Sequence, residues 1–326
     1  MLAMRAVGFS RFGGPEVLGV VDLPIPRPSA EQAVIRVVAA TVNPTDTLFR
    51  AGAQADRMVG LPPPFVPGME FSGVVYAVGE SAADEPALRP GDRVMGIVNP
   101  RRPGGGAQAE YVAVPVASLA PIPPALAAAP AATLPMNGLT ARMAVEALDL
   151  GPGATVLVTG GAGAVGGYAI QLARRGGLMV YADAKDEDRE LLRSLGASGI
   201  VARGAGMVRE LRAALPRGVD GVVDAARLGV EVRPAVRDGG TIVSLRNTDV
   251  FAGDRTVRHR YVSVTEQIEH TAALAELAGL AAAGELTPRV AACLRPEEAG
   301  AAHALVERGG LRGRVVLCFG PDGAGR

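Results

Sequence analysis

One stretch carries the spacing of a phosphate-binding turn. In VLVTGGAGAVGGYAIQLARR, Gly161, Gly163 and Gly166 follow one another as G-x-G-x-x-G. The first glycine permits a tight turn. The second lets the backbone approach a pyrophosphate, and the third lets helix pack closely on strand. Ala164 and Val165 open the helix, whose free N–H groups and positive dipole end suit a phosphate. In a chain with 43 glycines the spacing alone is weak evidence. Its context is stronger: the apolar strand ATVLVTG (154–160) before it, the helix AVGGYAIQLARR (164–175) after it, and a second strand LMVYAD (178–183) next. Asp183 ends that second strand, about 20 residues past the turn, where a ribose-binding carboxylate is expected. The competing reading is a tight strand–helix turn with no ligand. No Gly-Lys-Ser or Gly-Lys-Thr follows the glycines, so phosphoryl transfer is not indicated.

The choice of dinucleotide stays open at this level. A carboxylate at Asp183 favours the ribose diol of NAD(H) and repels a 2′-phosphate. Lys185, the only lysine in the chain, and Arg203, after the third strand, would offset that charge and favour NADP(H). The alternative for both cations is a solvated surface.

The elements that must hold this turn are legible from the pattern. Short β-like runs, EQAVIRVVAATV (31–42), EFSGVVYAVG (70–79), GDRVMGIV (91–98) and AEYVAVPV (109–116), are separated by Pro and Gly clusters. After about residue 125 apolar strands alternate with helical patterns, which predicts a parallel, doubly wound sheet. Helices are predicted over 187–197, 271–286 and 296–309, and a last strand over 313–319. Residues 111–141 lack charge, but their six prolines break a membrane span, and they read as a strand plus a connecting segment.

The 326 residues suggest about two domains. The 33 basic and 33 acidic side chains cancel, which argues against nucleic acid or an anionic membrane as partner. Cys293 and Cys318 make no disulfide framework, and the N-terminus lacks a signal peptide's apolar core. A reducing cytoplasm is the expected setting.

Further motifs follow in order: RAVGFSRFGGPEVL (5–18), AATVNPTDTLFRAG (39–52), VPGMEFSGVVYAVG (66–79), RPGDRVMG (89–96), GGAQAEYVAVP (105–115), LPMNGLTA (134–141) and LRGRVVL (311–317). With these the chain resembles the medium-chain dehydrogenase/reductase superfamily, and within it the zinc-free quinone oxidoreductase and enoyl reductase branch. The resemblance implies an α/β protein with a GroES-like β domain from residues 1–124 and 263–326. A Rossmann doubly wound parallel-sheet domain from 125–262 would lie between them in sequence.

It implies an NAD(P)H-dependent oxidoreductase that transfers hydride to a quinone or α,β-unsaturated carbonyl, with NADP(H) the favoured cofactor and a small molecule as substrate. Two other readings stand beside it: a zinc-free alcohol or ketone dehydrogenase, and a dinucleotide-binding protein without turnover. Where zinc-dependent members carry Cys and His ligands, this chain has Asn43 and Met69, and no four-cysteine lobe exists. No zinc and no other metal is expected.

By the same resemblance Asn43 donates its amide to the acceptor oxygen or the cofactor. Asp46 orients Asn43 or the neighbouring loop, Arg50 anchors the cleft loop, and Thr140 places a hydroxyl near the nicotinamide. Ser244 and Asn247 line the nicotinamide pocket. Each has a plainer reading: a turn former at Asn43, a cap at Asp46 for a helix beginning near Thr47, a helix residue at Thr140, a strand end at Ser244 and Asn247. The chain departs from the family pattern in AQADRMVGLPPPF, where a Tyr is usual and Phe65 is the only aromatic, and at Arg142, where an aromatic is usual. A homodimer through the cofactor-domain sheet is expected, with GGTIVSLRN as its edge.

Overall fold

The computed structural model describes residues 2–81, 88–246, 250–251, 253–254 and 256–320; the candidate Asn247 lies outside them. The chain divides into two units. One comprises Met1–Met136, Gln267–Ala283 and Pro288–Arg326, the other Asn137–Glu266 and Gly284–Thr287.

In chain order the elements of the first unit begin with β1 (Ala3–Gly8), β2 (Gly19–Pro24) and β3 (Gln32–Val42). Then come α1 (Pro44–Arg50), β4 (Glu70–Val78), β5 (Arg93–Ile97), β6 (Tyr111–Pro115), β7 (Leu119–Pro121) and α2 (Ala128–Ala131). The stretch 111–141 is thus more than a strand and a connection. The helix α3 (Pro135–Glu146) leads into β8 (Thr155–Thr159), α4 (Ala164–Arg175), β9 (Met179–Ala184), α5 (Arg189–Ser194) and β10 (Gly199–Ala202). The second unit continues with α6 (Met207–Ala214), β11 (Val219–Asp224), β12 (Val236–Ser244) and β13 (Arg258–Tyr261). The C-terminal part adds α7 (Thr271–Ala282), β14 (Val290–Leu294), α8 (Ala299–Arg308) and β15 (Arg314–Cys318).

The second unit holds a six-stranded sheet in the order β10-β9-β8-β11-β12-β13, every pair parallel. Counting from β8 this is 3-2-1-4-5-6, the Rossmann order, whose topological switch point falls between β8 and β11. Central β8 is TVLVT and buried beyond Thr155, as a strand covered on both faces must be. The segment GGTIVSL is not an edge: β12 pairs with β11 on one side and β13 on the other. β13, RHRY, gave no apolar run to read, and it takes the edge place instead.

The first unit contains a seven-stranded sheet, β14-β15-β3-β4-β5-β7 with β6 on β3, and a separate β1–β2 hairpin. Helix α8 lays Ala299, Ala302 and Val306 on a core that includes Ile35, Val42, Val315 and Leu317. Phe65 joins Phe9, Phe12 and Phe49 in a ring cluster, with Phe9 and Phe49 edge-on at 5.3 Å. It works as packing. Contrary to the expectation of a reducing setting with no disulfide framework, Cys293 and Cys318 are joined in a disulfide between the parallel strands β14 and β15, whose register sets Cys293 opposite Val316. Among the described residues no helix is long and apolar enough to cross a membrane.

Candidate functional site

The glycine turn sits at the C-terminal end of β8, beside the switch point. Gly163 is the N-cap of α4 and Ala164 its first residue. The left-handed position is Gly160, with φ +65°, one residue ahead of the G-x-G-x-x-G count. A Cβ on Gly161 would meet Ile170, Leu192 and Ala182 at 2.9–3.2 Å. A Cβ on Gly166 would stand 2.3 Å from the Gly160 carbonyl oxygen, so this glycine lets α4 seat on the turn. At Gly163 the one near atom is that same oxygen, at 3.2 Å. Of the three positions, Gly163 has the open approach a pyrophosphate needs, and the N–H groups that begin α4 are the donors. The turn therefore fits a dinucleotide.

Asp183 departs from its expected role. Its side chain is 1% exposed. Oδ1 accepts the Gly160 N–H, and Oδ2 accepts Arg203 Nε at 2.7 Å. Both oxygens are turned inward, so no ribose diol reaches them. The Arg203 backbone N–H bonds to the Ala184 carbonyl, which sets Arg203 next to the end of β9. Its side chain is 40% exposed. Lys185, at that same strand end, is exposed.

Two strand ends on either side of the switch point are cross-linked. Thr159 Oγ1 donates to Asp224 Oδ1 at 2.8 Å and accepts the Ala226 N–H. Asp224 also accepts the N–H groups of Leu228 and Gly229. This carboxylate escaped the sequence reading; its signal was an acid closing the apolar run VDGVVD. Asp224 and Ser244 line a cavity of about 480 Å³ at the C-terminal ends of β11 and β12. Ser244 Oγ lies 2.9 Å from His259 Nε2. Thr140 lies in mid-α3, 9% exposed.

The first unit holds a buried polar cluster where β3 meets α1. Thr41 and Asn43 are two residues apart and share a face. Glu70, the first residue of β4, is fully buried beneath them. Its Oε1 accepts Thr41 Oγ1 at 2.8 Å and Asn43 Nδ2 at 3.0 Å, and its Oε2 accepts the Met136 N–H at 2.7 Å. Asn43 Nδ2 also donates to Thr41 Oγ1. Both hydrogens of the Asn43 amide are thus engaged inside the protein, contrary to the expectation of a donor aimed at substrate. Asp46 does cap a helix, but that helix begins at Pro44. Its Oδ2 accepts the Asn43 N–H at 2.8 Å and its Oδ1 the Gly68 N–H at 3.0 Å, so it ties α1 to the loop before β4. Arg50 is 2% exposed and bonds Glu307 and the Gly13 carbonyl.

Burial governs the titration here. Desolvation pushes Asp46 up to about 7, against the pull of its two backbone N–H bonds, and it also raises Glu70. His303 on α8 is fully buried, bonded to Gln108, and desolvation with the nearby Arg50 charge drives it down to about 3.

These two groups bend the pH–stability curve in opposite senses. Asp46 keeps its proton in the fold up to about 7 but ordinarily releases it at 3.8. Its contribution is full below 3.8 and is lost as pH rises through 7. His303 ordinarily gains a proton at 6.5 but resists in the fold down to about 3. Its contribution is full above 6.5 and is lost as pH falls towards 3. Between 3.8 and 6.5 the slopes cancel, each about 1.4 kcal/mol per pH unit. Asp46→Asn should leave the His303 slope uncancelled, so that urea midpoints of the variant rise with pH across that window relative to the parent's. Parallel curves would refute the assignment.

No group of three or more His, Cys, Asp or Glu that could hold a metal occurs among the described residues. Asn43 and Met69 occupy the two ligand positions, the first hydrogen-bonded as above and the second 2% exposed. The donor set does not fit zinc.

Comparison with known proteins gives two family matches: the alcohol dehydrogenase GroES-like domain over residues 29–124, and the zinc-binding dehydrogenase family over residues 195–317. The chain is 34% identical over 261 residues to an NADPH-dependent alkenal/one oxidoreductase, chloroplastic, of Arabidopsis thaliana, and 33% identical to a 2-methylene-furan-3-one reductase of Solanum lycopersicum. Each match covers 78% of this chain and 65% of the relative. The solved quinone oxidoreductase of Coxiella burnetii superposes with a TM-score of 0.86 at 31% identity, over 98% of this chain and all of that one.

Proposed function

Because the chain belongs to the medium-chain dehydrogenase/reductase superfamily, in its quinone oxidoreductase branch, we propose that it is an NADPH-dependent, zinc-independent reductase of α,β-unsaturated carbonyls and quinones. The observation that carries this reading is the open glycine turn at the switch point of a 3-2-1-4-5-6 sheet, flanked by Arg203 and Lys185. When bound, reduced nicotinamide supplies a hydride equivalent to the electron-poor carbon of a conjugated acceptor.

The chain's own residues divide the remaining work. Gly161, Gly163, Ala164, Val165 and Gly166 shape the turn and offer the α4 N–H groups to the pyrophosphate. Arg203 and Lys185 hold the 2′-phosphate, and Asp183 serves as counter-ion to Arg203. This selects NADP(H) over NAD(H). Ser244, backed by His259, borders the nicotinamide, and Thr140 presents its hydroxyl there. Asn43 and Asp46 act as positioning residues that fix α1 and the loop before β4. With Asn43 and Met69 at the ligand positions, no Lewis-acid step is derived. Residues 1–124 and 263–326 form the substrate domain on this reading, and 125–262 the dinucleotide domain. The chain works in the cytoplasm as a homodimer joined through β13, which sedimentation velocity tests directly.

The functional test follows NADPH oxidation with a panel of alkenals, enones, quinones and simple ketones. Loss of the carbon–carbon double bond in the product, or reduction of the quinone, is the expected result. Ketone reduced to alcohol with the double bond retained would make it a zinc-free dehydrogenase. Tight NADPH binding with no acceleration for any acceptor would make it a binding protein.

A further inference from the structure

The first unit contains a second cavity, of about 480 Å³, lined wholly by residues between Met4 and Ala113. That size lies within the range of small-molecule sites, about 300–1,000 Å³. Its walls are largely apolar, with Gln32 and Tyr111 the uncharged polar side chains among them. Met4, Leu23, Met58 and Leu61 face it together with the run Pro62–Pro64, and proline has no N–H to offer. Two cations, Arg27 and Arg102, line the same space, and no described carboxylate does.

Arg102 is the telling residue. Its Nε donates to the Gly105 carbonyl at 3.1 Å and its Nη2 to the Ala113 carbonyl at 2.6 Å, so the guanidinium is fixed in place. Nη1 finds no acceptor among the described residues. Burial lowers the Arg102 pKa, and no neighbouring carboxylate opposes it. A half-desolvated cation without a counter-charge is costly to maintain, and an anion delivered from outside would relieve it. Arg27, at the rim, is exposed and makes no ion pair with a described residue.

We infer that this cavity binds an amphipathic monocarboxylate, its head on Arg102 and Arg27 and its apolar body along Met4, Leu23 and the proline wall. The cavity is built entirely from the first unit, so the inference does not depend on the dinucleotide reading.

Calorimetric titration of the full chain with decanoate, and with decanol as its uncharged counterpart, tests it. Decanoate should bind saturably with one site, and decanol about tenfold more weakly or worse. Arg27→Gln and Arg102→Gln should each weaken decanoate severalfold and leave decanol unchanged. Arg27 is exposed, so its variant keeps the fold even if Arg102→Gln does not. The proposal falls if decanoate shows no saturable binding, if decanol binds equally well, or if Arg27→Gln binds decanoate like the parent. It falls also if NADPH competes with decanoate, since the carboxylate would then sit in the second unit.

Discussion

Arg203→Ala should raise the KM for NADPH by one to two orders of magnitude and leave that for NADH close to its starting value. The size follows from charge-assisted hydrogen bonds to a phosphate, worth about 1.5–3 kcal/mol, or roughly 10–150-fold. The selectivity follows from geometry. Asp183 is 1% exposed, with one oxygen on the Gly160 N–H and the other on Arg203, so it neither attracts a ribose diol nor repels a 2′-phosphate. Removing Arg203 also leaves the buried Asp183 carboxylate with only the Gly160 N–H, at a cost of about 1–3 kcal/mol in stability. A double variant, Asp183→Asn with Arg203→Ala, separates the two effects. It should regain most of the stability and none of the NADPH preference. If NADPH remains preferred in the double variant, the 2′-phosphate is held elsewhere and Arg203 is only the partner of Asp183.

The second large effect is expected at Glu70. Its two carboxylate oxygens collect Thr41 Oγ1, Asn43 Nδ2 and the Met136 N–H, all in a site closed to water. Glu70→Ala removes the acceptor that these three groups share. Each lost bond costs about 1–3 kcal/mol, so a total of roughly 3–9 kcal/mol and a fall in Tm of several degrees or more is expected. Glu70→Gln retains an acceptor for part of the cluster but turns an amide N–H towards one of the donors, and should lose about a third as much. Thermal melting of the pair decides. Equal, small losses would mean that water enters the cluster and Glu70 is no hub. Because Asn43 hangs from Glu70, the two variants should also change kcat in the same order.

The fold was readable because its periodicities are strong. Helix α4 lies where the apolar pattern put it, and β8, β9 and β10 follow within a residue. What the sequence hid was direction. Asp183 stands where a ribose-binding carboxylate would, but period-two alternation does not tell whether an oxygen at a strand end turns outward or back towards Gly160. The amide of Asn43 was read as available because its partner Glu70 is distant in sequence, brought near by the β3–β4 pairing and the bulges in it. His303 had a signal that went unread. Ala299, Ala302 and Val306 form a helical buried stripe, and His303 sits inside it. β13 has another reason to be illegible: an edge strand of arginines, histidine and tyrosine carries no apolar alternation.

The order of strands in the first unit also dictates how a ribosome must deliver it. β15 lies between β14 and β3, so the Ala39–Val42 end of β3 waits for residues synthesised after the whole six-stranded sheet, while β6 covers Gln32–Arg36. Until then the nascent chain carries the apolar strand end Ala39–Val42 with its outward N–H and C=O groups unpaired by β15. The six-stranded sheet, encoded in between, is finished first. Newly made chains should therefore pass through a stage in which the later-born half is folded and the first-born half is still exposed to aggregation and to chaperones. Chains terminated before Arg314 should be held at that stage.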